Sequence, residues 1–324
     1  MYDGVINVYK EKGFTSHDVV AKLRGILRQK KIGHTGTLDP EAEGVLPVCL
    51  GKGTKLCDML TDKTKAYRAV LLLGQETDTQ DAGGQVLRRC SPEMLASLTE
   101  EKVREGVMSF VGPYDQIPPM YSALKVNGQK LCDLARAGKT VERKARPVEI
   151  FSIVIEEISL PRVTMAVECS KGTYIRTLCS DIGEKLGTGG CMESLVRTRS
   201  GSFTLEDALT LGQIEAIRVD GTLEDRIVAV DEVFSQYPRL DMKPEYDRLV
   251  HNGNPFRPDQ CGAKPAGPVS GDETASDLPG ASGKSGGRPA QARVYDSTGL
   301  FIGIYAYRPE RRWYQPVKIF AGGQ

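Results

Sequence analysis

One aspartate stands in the stretch of this chain best suited to present a side chain at a cleft. Asp39 lies in the segment GHTGTLDP, with Gly33 and Gly36 before it and Pro40 directly after it. The glycines permit an unusual backbone path, and the proline restricts the conformation of the aspartate that precedes it. A carboxylate presented in this way can act as a nucleophile or as a general base. Asp-Pro is also a common turn former, so the local pattern leaves a purely structural turn open.

Other residues near this aspartate suggest further chemistries, each with weaker support. The glycines invite a phosphate-loop interpretation, but the G-x-x-x-x-G-K-[ST] spacing is missing from the sequence. Glu41 and Glu43 could join Asp39 as the paired carboxylates of a glycoside hydrolase, although such closeness in sequence is weak support. Ser122 and Lys125 match S-x-x-K, but the other β-lactamase motifs are missing.

Cysteine and histidine usage argues against a metal site. The chain has 8 cysteines and 3 histidines, and none of the cysteines forms a C-x-x-C pair. Most of the cysteines sit inside apolar stretches, which favours reduced, buried thiols. No nicotinamide or nucleotide motif is visible either. We therefore expect no metal and no organic cofactor.

Charge and hydropathy bound the location and the kind of partner. No apolar run approaches the roughly 20 residues that span a bilayer, and the N-terminus lacks the features of a signal peptide. We expect a cytoplasmic protein without a membrane partner. The net charge is only +1, yet residues 10–31 and 116–147 each hold seven basic and two acidic residues. The two segments together favour a positive face, while a solvated helix surface is the better explanation of any one such segment alone.

The elements that must position these residues follow from the hydrophobic periodicity. Two kinds alternate along the first 230 residues: helices over 16–31, 91–110 and 173–186, and strands over 45–50, 67–73, 148–158 and 163–169. This interleaving predicts an α+β fold in which helices flank a largely antiparallel central sheet. Residues 116–138, which mix prolines with basic residues, read as an excursion from the core.

The pattern of apolar and polar residues changes near residue 231, where short strand-like runs replace the helical pattern. We predict a first domain over 1–230, with a basic excursion at 116–147, and a small β-rich domain over 231–324. Inside the second domain, residues 262–290 contain 20 Gly, Ala, Pro or Ser among 29 residues. Such a segment buries too little apolar area to offset its chain entropy, so we predict a disordered insertion.

Five segments resemble, in order and spacing, the bacterial TruB family of tRNA pseudouridine synthases. They are GHTGTLDPEAEGVLPVCLGKGTK, KAYRAVLLLGQETDTQD, PPMYSALKVNGQKL, VECSKGTYIRTLCSDIGEKLG and SLVRTRSGSF. Together they are spread from residue 33 to residue 203. The tail, with HNGNP, ARVYD and FIGIYAYRPE, is similar to the small PUA-like RNA-binding domain of that family, although the 262–290 insertion departs from its compact form. The resemblance implies a pseudouridine synthase fold in which 1–230 is the catalytic domain, 116–147 its basic RNA-binding excursion and 231–324 a PUA-like RNA-binding domain.

The resemblance also implies roles for individual residues. Asp39 matches the catalytic aspartate, Tyr67 the tyrosine that stacks on the target base, and Arg176 the arginine that pairs with the aspartate. Further positions match substrate-binding residues: His34, which supports the flipped-out RNA, Lys55 near the site, and Tyr174 and Leu195 on the pocket wall. In the basic excursion we expect Lys125 and Lys130 to lie near phosphates, together with Arg136 and Lys139.

The position of Arg176 gives independent support for an ion pair. It falls in the first turn of the helix predicted over 173–186, where a cation opposes the helix dipole by roughly 0.3–1 kcal/mol. It is also out of phase with the apolar stripe of that helix. An ion pair with Asp39 would explain both features and would keep the carboxylate ionised at neutral pH.

The activity implied by the resemblance is isomerisation of one uridine in the T loop of tRNA, at position 55, without a cofactor. The base must be extruded from the loop for the reaction to occur. The expected partner is the T arm of tRNA, with no obligate protein partner, and the protein is expected to be a monomer. Two other functions stay open: an RNA-binding module that modifies nothing, and a hydrolase that releases base, sugar or phosphate.

Overall fold

The computed structural model describes residues 1–61, 63–126, 128–263 and 291–321. The chain divides into two units. The larger unit comprises Ile6–Cys49 and Leu56–Arg226, and the smaller unit comprises Met1–Val5, Leu50–Lys55 and the chain from Ile227 onward. The functional division at residue 230 stays a prediction.

The larger unit interleaves strands and helices along the chain. Its strands are β1 (Gly4–Lys10, which begins in the smaller unit), β2 (Ile32–His34), β3 (Glu43–Leu50), β4 (Lys65–Leu73), β5 (Gln75–Thr77), β6 (Val86–Arg89), β7 (Gly112–Gln116), β8 (Lys125–Val126), β9 (Gln129–Lys130), β10 (Arg146–Ser159), β11 (Arg162–Cys169), β12 (Gly190–Ser200) and β13 (Phe203–Thr204). Its helices are α1 (Ser16–Leu27), α2 (Cys57–Thr61), α3 (Pro92–Ala96), α4 (Glu100–Met108), α5 (Leu131–Arg136, one and a half turns) and, further on, α6 (Ile175–Lys185) and α7 (Leu211–Asp220). Short 3-10 helices span Gly51–Leu56 and Leu223–Arg226.

The central sheet has the order β1-β3-β12-β4-β11-β10-β7. Strand β12 runs parallel to β3, whereas β4, β11, β10 and β7 each pair antiparallel with the strand before them. A buried apolar cluster joins one face of these antiparallel strands to α4 and α6. The predicted α+β fold with a largely antiparallel sheet is therefore confirmed.

The ends of the helices follow their capping residues. Thr15 caps α1 in a reciprocal capping box with Asp18. The helix ends at Leu27, because Arg28 adopts a left-handed conformation (φ 49°). The predicted extension to residue 31 was therefore wrong. The helix predicted over 91–110 is two helices, because Thr99 accepts a hydrogen bond from the Lys102 amide and starts a second one.

The smaller unit is rich in strands, as predicted. It contains β14 (Ile227–Val228), β15 (Arg239–Met242), β16 (Cys261–Ala263), β17 (Gln291–Tyr295), β18 (Phe301–Arg308) and β19 (Trp313–Ile319), with α8 (Asp247–His251) and short 3-10 helices at Glu232–Phe234, Pro244–Tyr246 and Pro258–Gln260. Five of these strands form one sheet in the order β16-β15-β17-β18-β19. Its buried core combines aliphatic side chains with the aromatic rings of Phe256, Tyr305 and Tyr314.

The predicted insertion falls almost wholly outside the described residues. Positions 264–290 are not described, so the expected disorder of that segment stays a prediction. Gly262 and Ala263, which the prediction included, belong to β16 and pair with Asp241 and Leu240 of β15. No helix within the described ranges is long and apolar enough to cross a membrane.

Candidate active site

The loop that carries Asp39 connects β2 to β3 and is anchored on both sides of the carboxylate. The amide of Leu38 donates to Ser16 Oγ at 2.9 Å, which ties the loop to the first residue of α1. The amide of Ala42 donates to the Asp39 carbonyl oxygen at 3.1 Å. Leu38 and Ala42 are both buried in the core, whereas the Asp39 side chain keeps 41% exposure. The loop therefore holds its backbone rigidly and presents the carboxylate to solvent.

A buried lysine forms a hydrogen bond to the same loop. Lys10 is 0% exposed, and its ammonium donates to the carbonyl oxygens of Glu11 (3.1 Å), Phe14 (2.7 Å) and Pro40 (3.1 Å). Burial lowers the Lys10 pKa, and the nearby carboxylates, including Asp39, oppose that effect. The three carbonyl contacts fix the turn that follows the catalytic candidate.

Arg176 lies in the first turn of α6, as predicted, and only 6% of its side chain is exposed. Its Nη1 stands 3.5 Å from Asp39 Oδ2 and 3.8 Å from Asp81 Oδ2. Its Nη2 donates to the Tyr121 carbonyl oxygen at 2.5 Å. The expected pairing of Asp39 with Arg176 is present, but the guanidinium is shared with a second carboxylate.

The electrostatic balance at Asp39 differs from the expectation built on the pair alone. Burial raises the Asp39 pKa, the Arg176 guanidinium lowers it, the Asp81 carboxylate raises it again, and Lys10 lowers it. The net direction is upward, because desolvation and the like charge of Asp81 outweigh the two cations. The 41% exposure of the side chain lets solvent moderate this effect.

Asp81 was missed in the sequence and is held by its own loop. Its Oδ1 accepts hydrogen bonds from Thr79 Oγ1 (2.8 Å) and from the Gly83 amide (3.1 Å). The preceding Gln80 adopts a left-handed conformation (φ 64°), and its side-chain oxygen accepts a hydrogen bond from Thr177 of α6 at 2.7 Å. These contacts fix the second carboxylate against the start of α6.

Tyr67 lies on β4 directly opposite Arg197 of β12, and the arginine is a second residue that the sequence did not reveal. Arg197 is 2% exposed, and its Nε donates to the Val45 carbonyl oxygen at 2.6 Å. Its Nη2 reaches the Gly36 carbonyl oxygen at 3.5 Å, and its guanidinium hydrogen-bonds the Tyr67 side chain. Burial raises the Tyr67 pKa and the Arg197 charge opposes it, with a net upward direction. The phenol is therefore protonated at neutral pH and can donate a hydrogen bond.

Three other predicted site residues surround this group. Tyr174 is the residue before α6, and its ring centroid lies 5.9 Å from the Arg176 guanidinium carbon. Leu195 of β12 is buried in the same apolar cluster as Leu38. His34 Nδ1 accepts a hydrogen bond from the Gly36 amide at 3.3 Å, and burial lowers the His34 pKa, which keeps the ring neutral at pH 7.

Three predicted residues remain: Lys55 of the smaller unit, and Lys125 and Lys130 of the larger unit. Lys55 belongs to the smaller unit, where its ammonium donates to the carbonyl oxygens of Ile319 (3.1 Å) and Phe320 (3.5 Å). Its role beside the carboxylate stays a prediction. Lys125 and Lys130 are exposed and face each other in the β8–β9 hairpin, where they border an open depression of about 480 Å³.

The chain matches two protein-family models. One describes the N-terminal domain of TruB family pseudouridylate synthase and matches residues 24–175, and the other describes the tRNA pseudouridylate synthase B C-terminal domain and matches residues 176–235. A protein of Lachnoclostridium phytofermentans named tRNA pseudouridine synthase B is 51% identical over 327 residues, covering 98% of this chain and 99% of that protein. The chain belongs to the TruB family of pseudouridylate synthases.

Further relatives and a solved structure agree with this family. A protein of Alkaliphilus oremlandii, also named tRNA pseudouridine synthase B, is 48% identical over 252 residues, covering 78% of this chain and 82% of its own length. A chain in the crystal structure of a Cbf5-Nop10-Gar1 complex has a TM-score of 0.68 at 25% identity, covering 98% of this chain and 84% of that one. The pseudouridine synthase fold is therefore confirmed.

Proposed function

We propose that this protein isomerises the T-loop uridine of tRNA, at position 55, to pseudouridine, with Asp39 as the catalytic carboxylate. Membership of the TruB family supplies the coarser statement, that the chain converts uridine to pseudouridine in tRNA. The observation that carries the site assignment is the Asp39 carboxylate, held on an anchored loop 3.5 Å from the buried Arg176 guanidinium. This places a half-exposed acid beside a fixed cation, where a ribose carbon can approach from solvent.

The reaction needs only groups that this chain supplies. The N1–C1′ bond of the uridine breaks, the uracil turns, C5 bonds to C1′, and the proton leaves C5 while N1 gains one. No atom is lost and nothing is oxidised, so we propose a reaction without a cofactor. The ionised Asp39 carboxylate attacks C1′ as a nucleophile or removes a ribose proton as a base. Both routes require the same charge at the same place.

The neighbouring side chains take positioning roles in this proposal. Arg176 holds the carboxylate, and Tyr67 offers a ring for the extruded base, with stacking worth roughly 1–3 kcal/mol by analogy with single-strand binders. The phenol of Tyr67, protonated at neutral pH, assists proton transfer. The neutral His34 supports the flipped-out conformation of the RNA, because a ring without charge can pack beside an unstacked base.

The rest of the molecule supplies RNA contacts. Exposed lysines at 125 and 130 face phosphates of the T arm, and the strand-rich C-terminal unit acts as a PUA-like RNA-binding domain. RNA is read through loop shape and splayed bases rather than through a helical groove. A monomer acting in the cytoplasm belongs to the same proposal.

One experiment tests this proposal and separates it from the alternatives. Purified protein is incubated with an unmodified tRNA transcript, and pseudouridine is mapped at single-nucleotide resolution. We expect modification in the T loop, none with Asp39→Asn despite retained tRNA binding, and normal activity with Asp220→Asn, an exposed control at the end of α7. Modification confined to the anticodon arm would overturn the substrate assignment. Release of free uracil would favour a hydrolase, and binding without turnover in the wild type would favour a binding module.

A further inference from the structure

A buried glutamine forms two hydrogen bonds to the residue that precedes α6. Gln116, the last residue of β7, is 1% exposed. Its Nε2 donates to the Tyr174 carbonyl oxygen at 3.0 Å, and its Oε1 accepts a hydrogen bond from the Tyr174 amide at 2.8 Å. The side-chain amide thus pairs with both backbone groups of one residue, as a neighbouring strand would.

This contact holds a helix start that has no capping side chain of its own. Tyr174 occupies the N-cap position of the helix but makes no side-chain capping hydrogen bond. Helices usually fix their first turn with a Ser, Thr, Asp or Asn at this position, and a missing cap costs about 1 kcal/mol. The start of α6 is therefore held from outside the helix, by Gln116.

The same segment also holds Arg176. The Tyr121 carbonyl oxygen, five residues after Gln116, accepts the 2.5 Å hydrogen bond from Arg176 Nη2. Between these two points lie Pro118 and Pro119, whose rings restrict the backbone. Residues 116–121 thus form hydrogen bonds to the start of α6 at two places, Tyr174 and Arg176. They are also the first residues of the basic excursion over 116–147.

We propose that Gln116 is a positioning residue for catalysis. Its amide fixes the backbone of Tyr174, and this sets the place of the Arg176 guanidinium against Asp39. The two hydrogen bonds between Gln116 and Tyr174, called the clasp below, also tie that geometry to the excursion proposed to contact the T arm. The carboxylate and the RNA-binding excursion therefore share one reference point. The inference rests on the proposed function, in which Asp39 and Arg176 form the active site.

A substitution that switches the clasp with pH tests this role. The protonated carboxyl of Gln116→Glu has one donor and one acceptor, so it can reproduce both hydrogen bonds to Tyr174. The ionised carboxylate is acceptor-only and would face the Tyr174 carbonyl oxygen. Burial favours the protonated form and extends it towards neutral pH. Gln116→Met, which has a similar length and no polar group, cannot form the clasp at any pH.

The measured quantity is the single-turnover rate of each variant divided by that of the wild type at the same pH. For Gln116→Glu we expect this ratio to rise about tenfold or more as the pH falls from about 8 to about 5.5, because displacement of a catalytic group by about 1 Å costs ~10²-fold. For Gln116→Met the ratio should be low and independent of pH. Gln213→Glu, at an exposed position of α7 whose side-chain oxygen still accepts the hydrogen bond from the Thr210 amide, should follow the wild type throughout.

Two further readouts separate positioning from mere folding. Circular dichroism and thermal unfolding at each pH establish that the variants are folded at the assay temperature, and tRNA affinity should change much less than the rate. A flat Gln116→Glu ratio, or a Gln116→Met rate equal to that of the wild type, would overturn the inference. If Gln116→Glu does not fold above pH 7, the Gln116→Met rate decides alone.

The failure of this inference can be told from the failure of the proposed function. Asp39→Asn is measured over the same pH range. Activity of Asp39→Asn would remove the site assignment itself, whatever the glutamine variants do. If Asp39→Asn is inactive and the Gln116→Glu ratio is flat, the site assignment stands and only the positioning role of Gln116 is overturned.

Discussion

At the scale of single residues, the guanidinium of Arg176 serves three acceptors at once. Its two terminal nitrogens face the carboxylates of Asp39 and Asp81 and the carbonyl oxygen of Tyr121. Two acids around one cation leave an excess of negative charge, and this is why the Asp81 carboxylate raises the Asp39 pKa. The planar fork of arginine suits such divided pairing, whereas an ammonium concentrates its charge at one point.

Replacement of this arginine by lysine tests whether the fork matters. Arg176→Lys keeps the positive charge but cannot reach both carboxylates and the carbonyl oxygen together. We expect the single-turnover rate to fall about 10²-fold, the size of effect that follows from a displacement of about 1 Å at a catalytic group. Arg162→Lys, at an exposed pair with Glu193, is the matched control and should keep the wild-type rate. Near-normal turnover of Arg176→Lys would show that charge alone suffices.

Asp39 could be singled out from the sequence by its loop of glycines and proline, and Arg176 because it breaks a local rule. The aspartate stands in a loop with two glycines, and the arginine is a cation in the first turn of a helix. Asp81 and Arg197 break no such rule, since one lies in a turn-rich segment and the other on an alternating strand. Their roles depend on the left-handed Gln80 and on the register between β4 and β12, which one sequence does not specify.

At the scale of elements, several segments converge on the first turn of α6. Strand β7 brings Gln116, the loop after β5 brings Asp81, and the loop before β3 brings Asp39. The two carboxylates stand near the helix end that favours anions, so they offset the unfavourable placement of Arg176 at that end. The helix start is therefore stable only as part of this assembly.

The elements themselves were easier to predict than their limits. The strands over 148–158 and 163–169 appear as the antiparallel pair β10 and β11, because alternating apolar residues in two adjacent runs favour a hairpin. Helix ends were less accurate. The end of α1 depends on a left-handed Arg28, and a non-glycine residue in that conformation carries no sequence signal.

The β8–β9 hairpin and α5 give a prediction about RNA binding. Lys125 and Lys130 face each other across the hairpin and are exposed, whereas Arg136 is within 3.7 Å of Asp133 and partly neutralised. Changing both lysines to glutamine should weaken tRNA binding. It should also reduce the slope of log K against log salt by about 0.7–0.9 for each phosphate that the protein no longer neutralises. Filter binding over a salt series measures both quantities.

The control for this pair removes the same charge elsewhere. Lys102 and Arg104 lie on the exposed face of α4, and changing both to glutamine should leave the salt slope nearly unchanged. Equal slopes for the two double variants would mean that the hairpin lysines are a solvated surface that touches no phosphate.

At the scale of the whole molecule, the smaller unit draws on distant parts of the chain. It combines Met1–Val5, Leu50–Lys55 and the chain from Ile227 onward. Gly53 belongs to this arrangement, because a Cβ on it would lie 2.2 Å from the Gly4 carbonyl oxygen. These two earlier segments carry no compositional signal, unlike the change of pattern near residue 231.

The strand order of this unit makes residues 264–290 removable. Strand β16 ends at Ala263 and β17 begins at Gln291, and both pair with β15, on opposite sides of it. Two strand spacings separate them, about 10 Å. Eight Gly/Ser residues, with an r.m.s. span of about 16 Å, can connect them. Shortening the connection changes its closure entropy by only ~1 kcal/mol, in the stabilising direction.

We therefore test a variant in which eight Gly/Ser residues replace 264–290. We expect its thermal midpoint to be unchanged and its turnover on unmodified tRNA to stay within about twofold of the wild type, because the segment offers few side chains able to pack. Differential scanning calorimetry and the single-turnover assay measure the two properties. A variant with residues 264–290 in scrambled order, at full length, is the matched control for composition. The shortened protein could have a normal midpoint but a far slower turnover, while the scrambled protein stays active. That result would show that modification of the RNA requires the length and composition of the segment but not the order of its residues. If both lose turnover with unchanged midpoints, the order of its residues matters, and the segment contacts substrate in a defined way.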